Sequence, residues 1–486
     1  MLPDTPVPPY PEEFGLAYWM DRVMRKCEAA LHDLAPESVH DLRVALRRCR
    51  SIADGYRTFD PDPSWKEMKK EGRILFRRLG DLRDTQVMLD WVGRLVIGPE
   101  ATLRLVKAFL ADREIQLKSI AYEALRKFNL DKWSTWRKQL PLRTHSVPME
   151  GPAFQHLALE RWHQARELHR QALRNRSQIA FHRLRIGLKK FRYTVENFLP
   201  QRHEQWGNDL RELQDLLGEL HDLHVLWRTA LGIGVLKDTE ARSAWRTTIG
   251  DERERRLDEY HRRMVGGTSL WVTWRAGLPG PFELEAATIS RLATWASFRD
   301  GDPDRTGRVT RLALQLYDGL RQEGLIASAD PLGARLLLHT AALLHNTGSE
   351  DKKKRRKAPY RLIERLKPPL GLNAQDLQLA ALAVRYHRGA FPSPAHKEFA
   401  RLTESFRWVV VLTAGMLRLA AVFASAGSGS VRSLSVGRIQ TAILVTADSY
   451  DESDPIVEKL AKARHLLESA CRAPVLVRSS QIVKDA

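Results

Sequence analysis

The chain has 486 residues, 43% of them hydrophobic, enough for about two to four domains with cores of their own, which excludes a disordered tail. Seventy-eight Lys and Arg against 59 Asp and Glu give a formal charge of +19, so the favoured partners are polyanions: nucleic acid, an anionic membrane surface or a phosphate polymer. Three cysteines (Cys27, Cys49, Cys471) are odd in number and lack metal-type spacing, which argues for reduced thiols in a cytoplasmic setting and against a disulfide framework.

Residues 1–13 are Pro-rich and acidic, without the basic-then-apolar pattern of an export signal. The first informative element is "VHDLRVALRRCR" at 39–50. At 100° per residue, His40, Arg43, Arg47 and Arg50 fall within about an 80° arc, while Leu42, Ala45, Leu46, Cys49, Ile52 and Ala53 lie opposite. The stripe carries no acidic residue of its own, and like charges at this spacing repel. A merely solvated face more often interleaves Glu with its cations. The next segment, from Pro63 to about residue 93, has helical periodicity and carries Lys66, Lys69, Lys70, Arg73, Arg77 and Arg78.

The pattern recurs in "HRLRIGLKKFRYTV" at 182–195. His182, Arg185, Lys189 and Arg192 repeat the spacing of His40, Arg43, Arg47 and Arg50 at an offset of 142 (182 minus 40), and Lys190 matches Arg48. "LGDLRDTQVML" at 79–89 is echoed by "LGELHDLHVLW" at 217–227, an offset of 138 (217 minus 79). Two elements recurring in one order at nearly one offset mark an internal repeat. The expected arrangement is two basic helices brought together about a pseudo-twofold axis. The second copy is less basic: Arg211 matches Arg73, but Asp215 replaces Arg77.

These motifs resemble the CHAD domain (conserved histidine α-helical domain) over residues 14–265, with repeats of about 14–150 and 151–265. The resemblance implies a duplicated helical bundle around a basic cavity that binds inorganic polyphosphate. Carried over by motif position, the ligand-facing residues are His40, Arg43, Arg47, Arg48, Arg50, His182, Arg185, Lys189, Lys190 and Arg192, with Lys69, Arg73, Arg77, Arg83 and Arg211 from the other helices. The chemistry is consistent: arginine offers planar bidentate donors to phosphate oxygens and lysine a point charge. Such binding weakens steeply with salt.

Residues 266–305, rich in Gly, Pro and turn residues, read as a linker. Residues 306–486 read as mainly helical, with a strand at 438–447, a helix at 454–471 and a short strand in "APVLVR". The apolar segment 408–427 is long enough to span a membrane, but Arg418 near its middle favours a buried helix and no membrane partner. "AALLHNTG", "YRLI", "LQLAALAVRYHRGAFPS" and "MLRLAAVF" resemble the C-terminal region of the exopolyphosphatase/guanosine-pentaphosphatase (Ppx/GppA) family. That resemblance implies an HD-type helical fold, named for a metal-binding His-Asp pair.

Here the pair is His345–Asn346, Ala358 stands where a histidine is expected, and Ala421 replaces a distal carboxylate. A neutral amide is a poor metal ligand, so no metal, no cofactor and no catalytic residue are expected. The remaining histidines, His339, His345 and His387, are expected to pack. A basic tract, Lys352, Lys353, Lys354, Arg355, Arg356 and Lys357, is a secondary polyanion patch that would lengthen a basic track if it faced the cavity.

The fold expected is mainly α: a duplicated helical bundle followed by a degenerate HD-like domain with a small α+β end. The function expected is non-catalytic polyphosphate binding for sequestration, granule targeting or regulation. The second domain would extend the binding surface, form a homodimer or contact polyphosphate-metabolising proteins. Two alternatives remain at this level: a metal-dependent phosphohydrolase acting on polyphosphate or guanosine polyphosphates, and a nucleic-acid-binding protein. Against the latter, the 13 tryptophans are scattered and the basic stripes contain no stacking aromatic.

Overall fold

The computed structural model describes residues 15–94, 100–234, 236, 239–326, 333–348, 358–425, 431–448 and 456–480. The tract 352–357 lies outside the described residues. The chain divides into two compact units, Met1–Gly280 and Pro281–Ala486.

The first unit holds helices α1 (Leu16–His32), α2 (Pro36–Tyr56), α3 (Pro63–Arg94), α4 (Glu100–Arg126) and α5 (Leu130–Thr144). There follow α6 (Pro152–Asn175), α7 (Gln178–Phe198), α8 (Pro200–Gly232), α9 (Thr239–Met264) and α10 (Leu270–Ala276). Prolines at the first position open α2, α3, α6 and α8, where a missing N–H costs nothing. Ser177 caps α7 by accepting from the Ala180 N–H.

The duplication covers all five helices of each half. α1 packs on α2 as α6 on α7, α2 on α3 as α7 on α8, α3 on α4 as α8 on α9, and α1 on α5 as α6 on α10. The second repeat therefore runs on through α10, past the expected boundary at 265. The supposed linker 266–305 is largely helical, and the division falls at 280/281. Its Gly and Pro residues delimit a 7-residue helix and a 17-residue helix instead of marking an unstructured connection.

The halves meet through α2 against α7 and α3 against α8. The apolar face read from the sequence (Leu42, Ala45, Leu46, Cys49, Ile52, Ala53) is buried throughout. At the inner end of the α2–α7 contact, Phe154 and Phe198 stack with ring centroids 4.2 Å apart, and Tyr56 meets both edge-on. A Cβ on Gly55 would lie 2.3 Å from the Phe198 ring, so the helices approach this closely only with glycine there.

The second unit holds α11 (Pro281–Ser297), α12 (Pro303–Gln322), α13 (Ala334–Leu344), α14 (Ala358–Glu364), α15 (Ala374–Tyr386), α16 (Lys397–Ala400) and α17 (Glu404–Phe423). A sheet of β1 (Leu434–Ile439), β2 (Ala442–Ala447) and β3 (Val475–Ser479) follows, with α18 (Ile456–Ala463) and α19 (His465–Cys471) before β3. β1 and β2 pair antiparallel, and β2 and β3 parallel. The stretch 438–447, expected as one strand, holds the end of β1, a turn at Gln440 with φ 50°, and the whole of β2. The helix expected at 454–471 is two short ones.

α17 is apolar and long enough to cross a bilayer by length and composition, but two thirds of its most apolar window (67%) is buried in this unit's core. α12, α13, α15, α18 and α19 surround it. Arg418 meets its burial by donating to the backbone carbonyls of Tyr386 (2.7 Å) and Gly389 (3.2 Å), with its guanidinium over the Phe391 ring.

Candidate functional site: a mixed-charge cavity between the two repeats

The facing surfaces of α2, α3, α7 and α8 enclose a cavity of about 390 Å³. Its cations are Arg43 and Arg47 from α2, Arg83 and Arg94 from α3, and Arg185 and Lys189 from α7, with His40 at the margin. Arg43 donates to the Phe76 carbonyl (2.9 Å), and its guanidinium lies 4.2 Å from the Phe76 ring centroid. A Cβ on Gly80 would come within 3.2 Å of that guanidinium. The glycine of the first "LG" motif thus lets the arginine lie against the backbone of the next helix, whereas a Cβ on Gly218 would meet Arg185 at 3.9 Å, an ordinary contact.

Arg43, Arg185 and Lys189 are partly desolvated. Burial lowers Arg43 to about 10. Burial, reinforced by Arg185, Arg47 and Arg43, brings Lys189 down to about 7. The Nε atoms of Arg47 and Arg185 are buried and find no acceptor among the described residues. Donors left in this condition cost about 1–3 kcal/mol each, more for charged groups.

Sequence reading missed that five carboxylates also line the cavity: Asp84, Asp90, Asp215, Glu219 and Asp222. Burial raises Asp84 and Asp215 and pushes Asp222 up to about 6, against the opposing pull of nearby cations. A signal for two of them was available. Asp84 and Asp222 occupy one register of the repeated motif (222 minus 84 is 138), as do Arg43 and Arg185 at the other offset.

The residues named from the motif do not all share one place. His40, Arg43, Arg47, Arg83, Arg185 and Lys189 line the cavity. Arg48 instead forms a half-buried ion pair with Glu196 of α7, which also takes Arg192 (3.7 Å) and His203 (3.6 Å). Arg48, expected to face the ligand, is instead neutralised by a carboxylate of the facing helix. Arg50 lies against the Phe76 ring at 4.7 Å, outside the cavity lining. His182 stands beside His221, their rings 5.0 Å apart, with its pKa lowered by burial, Arg185 and Lys189. Lys190 and Arg211 are exposed, and Lys69, Arg73 and Arg77 line a separate cleft on α3. The expectation that no aromatic accompanies the basic stripe also changes: Phe76 comes from α3, and Tyr193 lies beneath Arg47 with its ring centroid 5.6 Å away.

In the second unit, His345 and His387 are buried with rings 5.3 Å apart and nearly perpendicular. Each Nδ1–H donates to a backbone carbonyl, Ala342 and Val384 respectively. Asn346, which follows His345 where the sequence resemblance led to the expectation of a carboxylate, donates from its amide to Asp300 Oδ1 (2.6 Å). His339 is half-buried on α13, Ala358 opens α14 and Ala421 is buried in α17. The two imidazoles have Arg388 as a charged neighbour, which lowers both pKa values along with burial. Among the described residues no three His, Cys, Asp or Glu side chains are grouped to hold a metal. Two imidazoles, an amide already donating and an arginine do not fit the metal pair of an HD hydrolase.

The CHAD domain family matches residues 20–231, and the family described as Ppx/GppA phosphatase, domain III matches residues 286–445. No curated protein matches the chain at a significant level. Among solved structures, the crystal structure of the CHAD domain from the plant Ricinus communis is similar at 21% identity and a TM-score of 0.38. That match covers 54% of this chain and 88% of that one. Two domain families thus stand in one chain, which carries a CHAD domain followed by a Ppx/GppA domain III.

Proposed function

We propose that the protein binds inorganic polyphosphate, without turning it over, in the cavity between its two repeats. The observation that carries this reading is the set of half-buried cations converging there from α2, α3 and α7, including the buried Nε atoms of Arg47 and Arg185 that find no acceptor among the described residues. A chain of phosphate oxygens supplies acceptors to each of them and has no other feature to recognise. The CHAD resemblance implies the same ligand, and the Ppx/GppA domain III associates the chain with the same metabolism. Sequestration, granule targeting or regulation in the cytoplasm follow from binding without catalysis. The second domain would then serve in self-association or in contact with polyphosphate-metabolising enzymes.

The five carboxylates shape the reading. They keep a desolvated cluster of guanidiniums from repelling itself apart while the cavity is empty. A polyanion entering must outcompete them, which favours a ligand of high charge density over single phosphate esters.

The test is binding of labelled long-chain polyphosphate across a salt series, for the wild type and for Arg47→Gln with Lys189→Gln. Affinity should fall at least about tenfold in the double variant, since hydrogen bonds to charged groups contribute roughly 1.5–3 kcal/mol each. The salt slope should shrink by about 1.4, at roughly 0.7 per lost contact to a single-stranded polyanion. Binding indifferent to both substitutions sinks the assignment. Competition by single-stranded RNA at equal charge concentration would favour nucleic acid, and metal-dependent phosphate release would favour a phosphohydrolase.

A further inference from the structure

A second basic feature on the first unit is separate from the cavity. A cleft of about 430 Å³ runs along the outer face of α3, lined by Arg57, Lys66, Lys69, Lys70, Arg73 and Arg77 beside the exposed Ile74. No carboxylate lines it. Asp54 pairs with Lys69 and lies 3.9 Å from Arg57, but Lys66, Lys70, Arg73 and Arg77 have no acidic partner among the described residues. Of the acids on the same helix, Glu67 is engaged elsewhere, with Lys132 (3.3 Å).

Between the two lies Arg50, which touches the cavity's Phe76 on one side and feels the cleft's Arg73 and Arg77 on the other. Phe76 lines the cavity, and the guanidiniums of Arg43 and Arg50 lie against its ring, with centroids 4.2 and 4.7 Å away. Arg43 belongs to the cavity. Arg50 is half-buried, its buried Nε finds no acceptor among the described residues, and the cations acting on it are Arg73 and Arg77 of the cleft. Charge is thus continuous from Arg47 through Arg43 and Arg50 to Lys66. From Arg83 to Lys66 this follows α3 for 17 residues (83 minus 66), about 26 Å.

The second repeat has no such extension. At an offset of 138, Lys66, Lys69, Lys70, Arg73 and Arg77 correspond to Glu204, Gly207, Asn208, Arg211 and Asp215. Five cations face one cation and two acids.

We propose that the α3 cleft is a second subsite for the same polymer, so that a polyphosphate chain leaves the cavity on the side of the first repeat only and longer chains are held preferentially. This rests on the polyphosphate reading above. The second subsite acts as a tethered binding module: a chain already held in the cavity meets the cleft at high effective concentration, whereas an oligomer confined to the cavity does not reach it.

The experiment compares the affinities of long-chain polyphosphate and tripolyphosphate for three forms of the full chain. These are the wild type, a cleft variant (Lys70→Glu, Arg73→Glu, Arg77→Glu) and a control with the same charge change on exposed residues of α4 (Arg104→Glu, Lys107→Glu, Arg126→Glu). Circular dichroism and a thermal melt establish that each variant is folded. The wild type should favour the long chain, and the cleft variant should lower that ratio by about tenfold or more. Its long-chain salt slope should fall by about 2, at roughly 0.7 per contact. The control should retain the ratio. An unchanged ratio in the cleft variant overturns the proposal, as does an equal fall in the control, which would mark an effect of net charge. In both cases wild-type binding leaves the cavity reading intact. Failure of the wild type to bind either ligand overturns both.

Discussion

Among its guanidinium neighbours Lys189 titrates near 7, while Asp222 on the facing helix is raised to about 6. Between about 7 and the amine's ordinary 10.5, the unfolded chain holds more protons at this site than the folded one, so Lys189 contributes stability that grows with rising pH. Asp222 has the opposite sense. Its folded form holds the extra proton between 3.8 and about 6, so its contribution grows as pH falls through that window. A bound polyanion favours the charged amine and draws its pKa back up. Binding at pH 8 should therefore take up about one proton. Calorimetry in buffers of different ionisation enthalpy measures this, and Lys189→Met should remove most of it. No uptake in the wild type would mean that the amine does not meet the ligand.

Arg47 and Arg48 are neighbours in sequence with different expected roles. Arg48 neutralises Glu196, so Arg48→Met should destabilise the protein by about 2–3 kcal/mol. That is below the usual cost of stranding a buried charge, because Arg192 and His203 still reach the carboxylate. Denaturant unfolding measures it. Polyphosphate affinity of the folded Arg48 variant should stay within about twofold of wild type, at most a few tenths of a kcal/mol. Motif position carried both arginines over as ligand-facing. It could not separate them, because Glu196 comes from a helix almost 150 residues away.

At the scale of elements, the cavity depends on how closely α2 and α7 approach. Gly55 is in contact with the Phe198 ring, and a methyl group there must push the helices apart or turn the ring out of its stack with Phe154. Gly55→Ala should cost about 1–3 kcal/mol, the usual range for overpacking. It should also weaken polyphosphate binding, because α2 and α7 carry Arg43, Arg47, Arg185 and Lys189. A variant with wild-type stability would mean that the helices adjust freely. The periodicity of α2 and α7 was legible, and every apolar position assigned to the buried face of α2 is buried. The hairpin at 434–447 was not legible as such. β1 and β2 are separated only by Gln440 and Thr441, too short an interruption to break an apolar run.

At the scale of the molecule, each of the two compact units has a core of its own. Gly415 of α17 would place a Cβ 2.7 Å from the Leu467 backbone nitrogen of α19, and backbone there cannot give way as a side chain can. Gly415→Ala should lower the melting of the second unit by several degrees, as about 1–3 kcal/mol of overpacking implies, while the first unit's transition stays in place. Differential scanning calorimetry with and without polyphosphate would resolve the two, since the ligand should raise only the first. A single transition shifted as a whole by the substitution would contradict independent cores.

The sequence by itself determined the duplication, the basic helices, the two domain families and the loss of the His-Asp pair. All of these reside in local spacing, which the chain carries wherever it folds. Only the tertiary structure decided which cations share a space. It tied Arg48 to Glu196, brought five carboxylates to face the guanidiniums, and placed Arg73 and Arg77 in a separate cleft. The physical reason is that a charge's environment is made by the helices packed against it. Glu196 lies a repeat away from Arg48, and Asp84 and Asp222 lie on the next helix from Arg43 and Arg185, so the periodicity of a single helix does not bring them together.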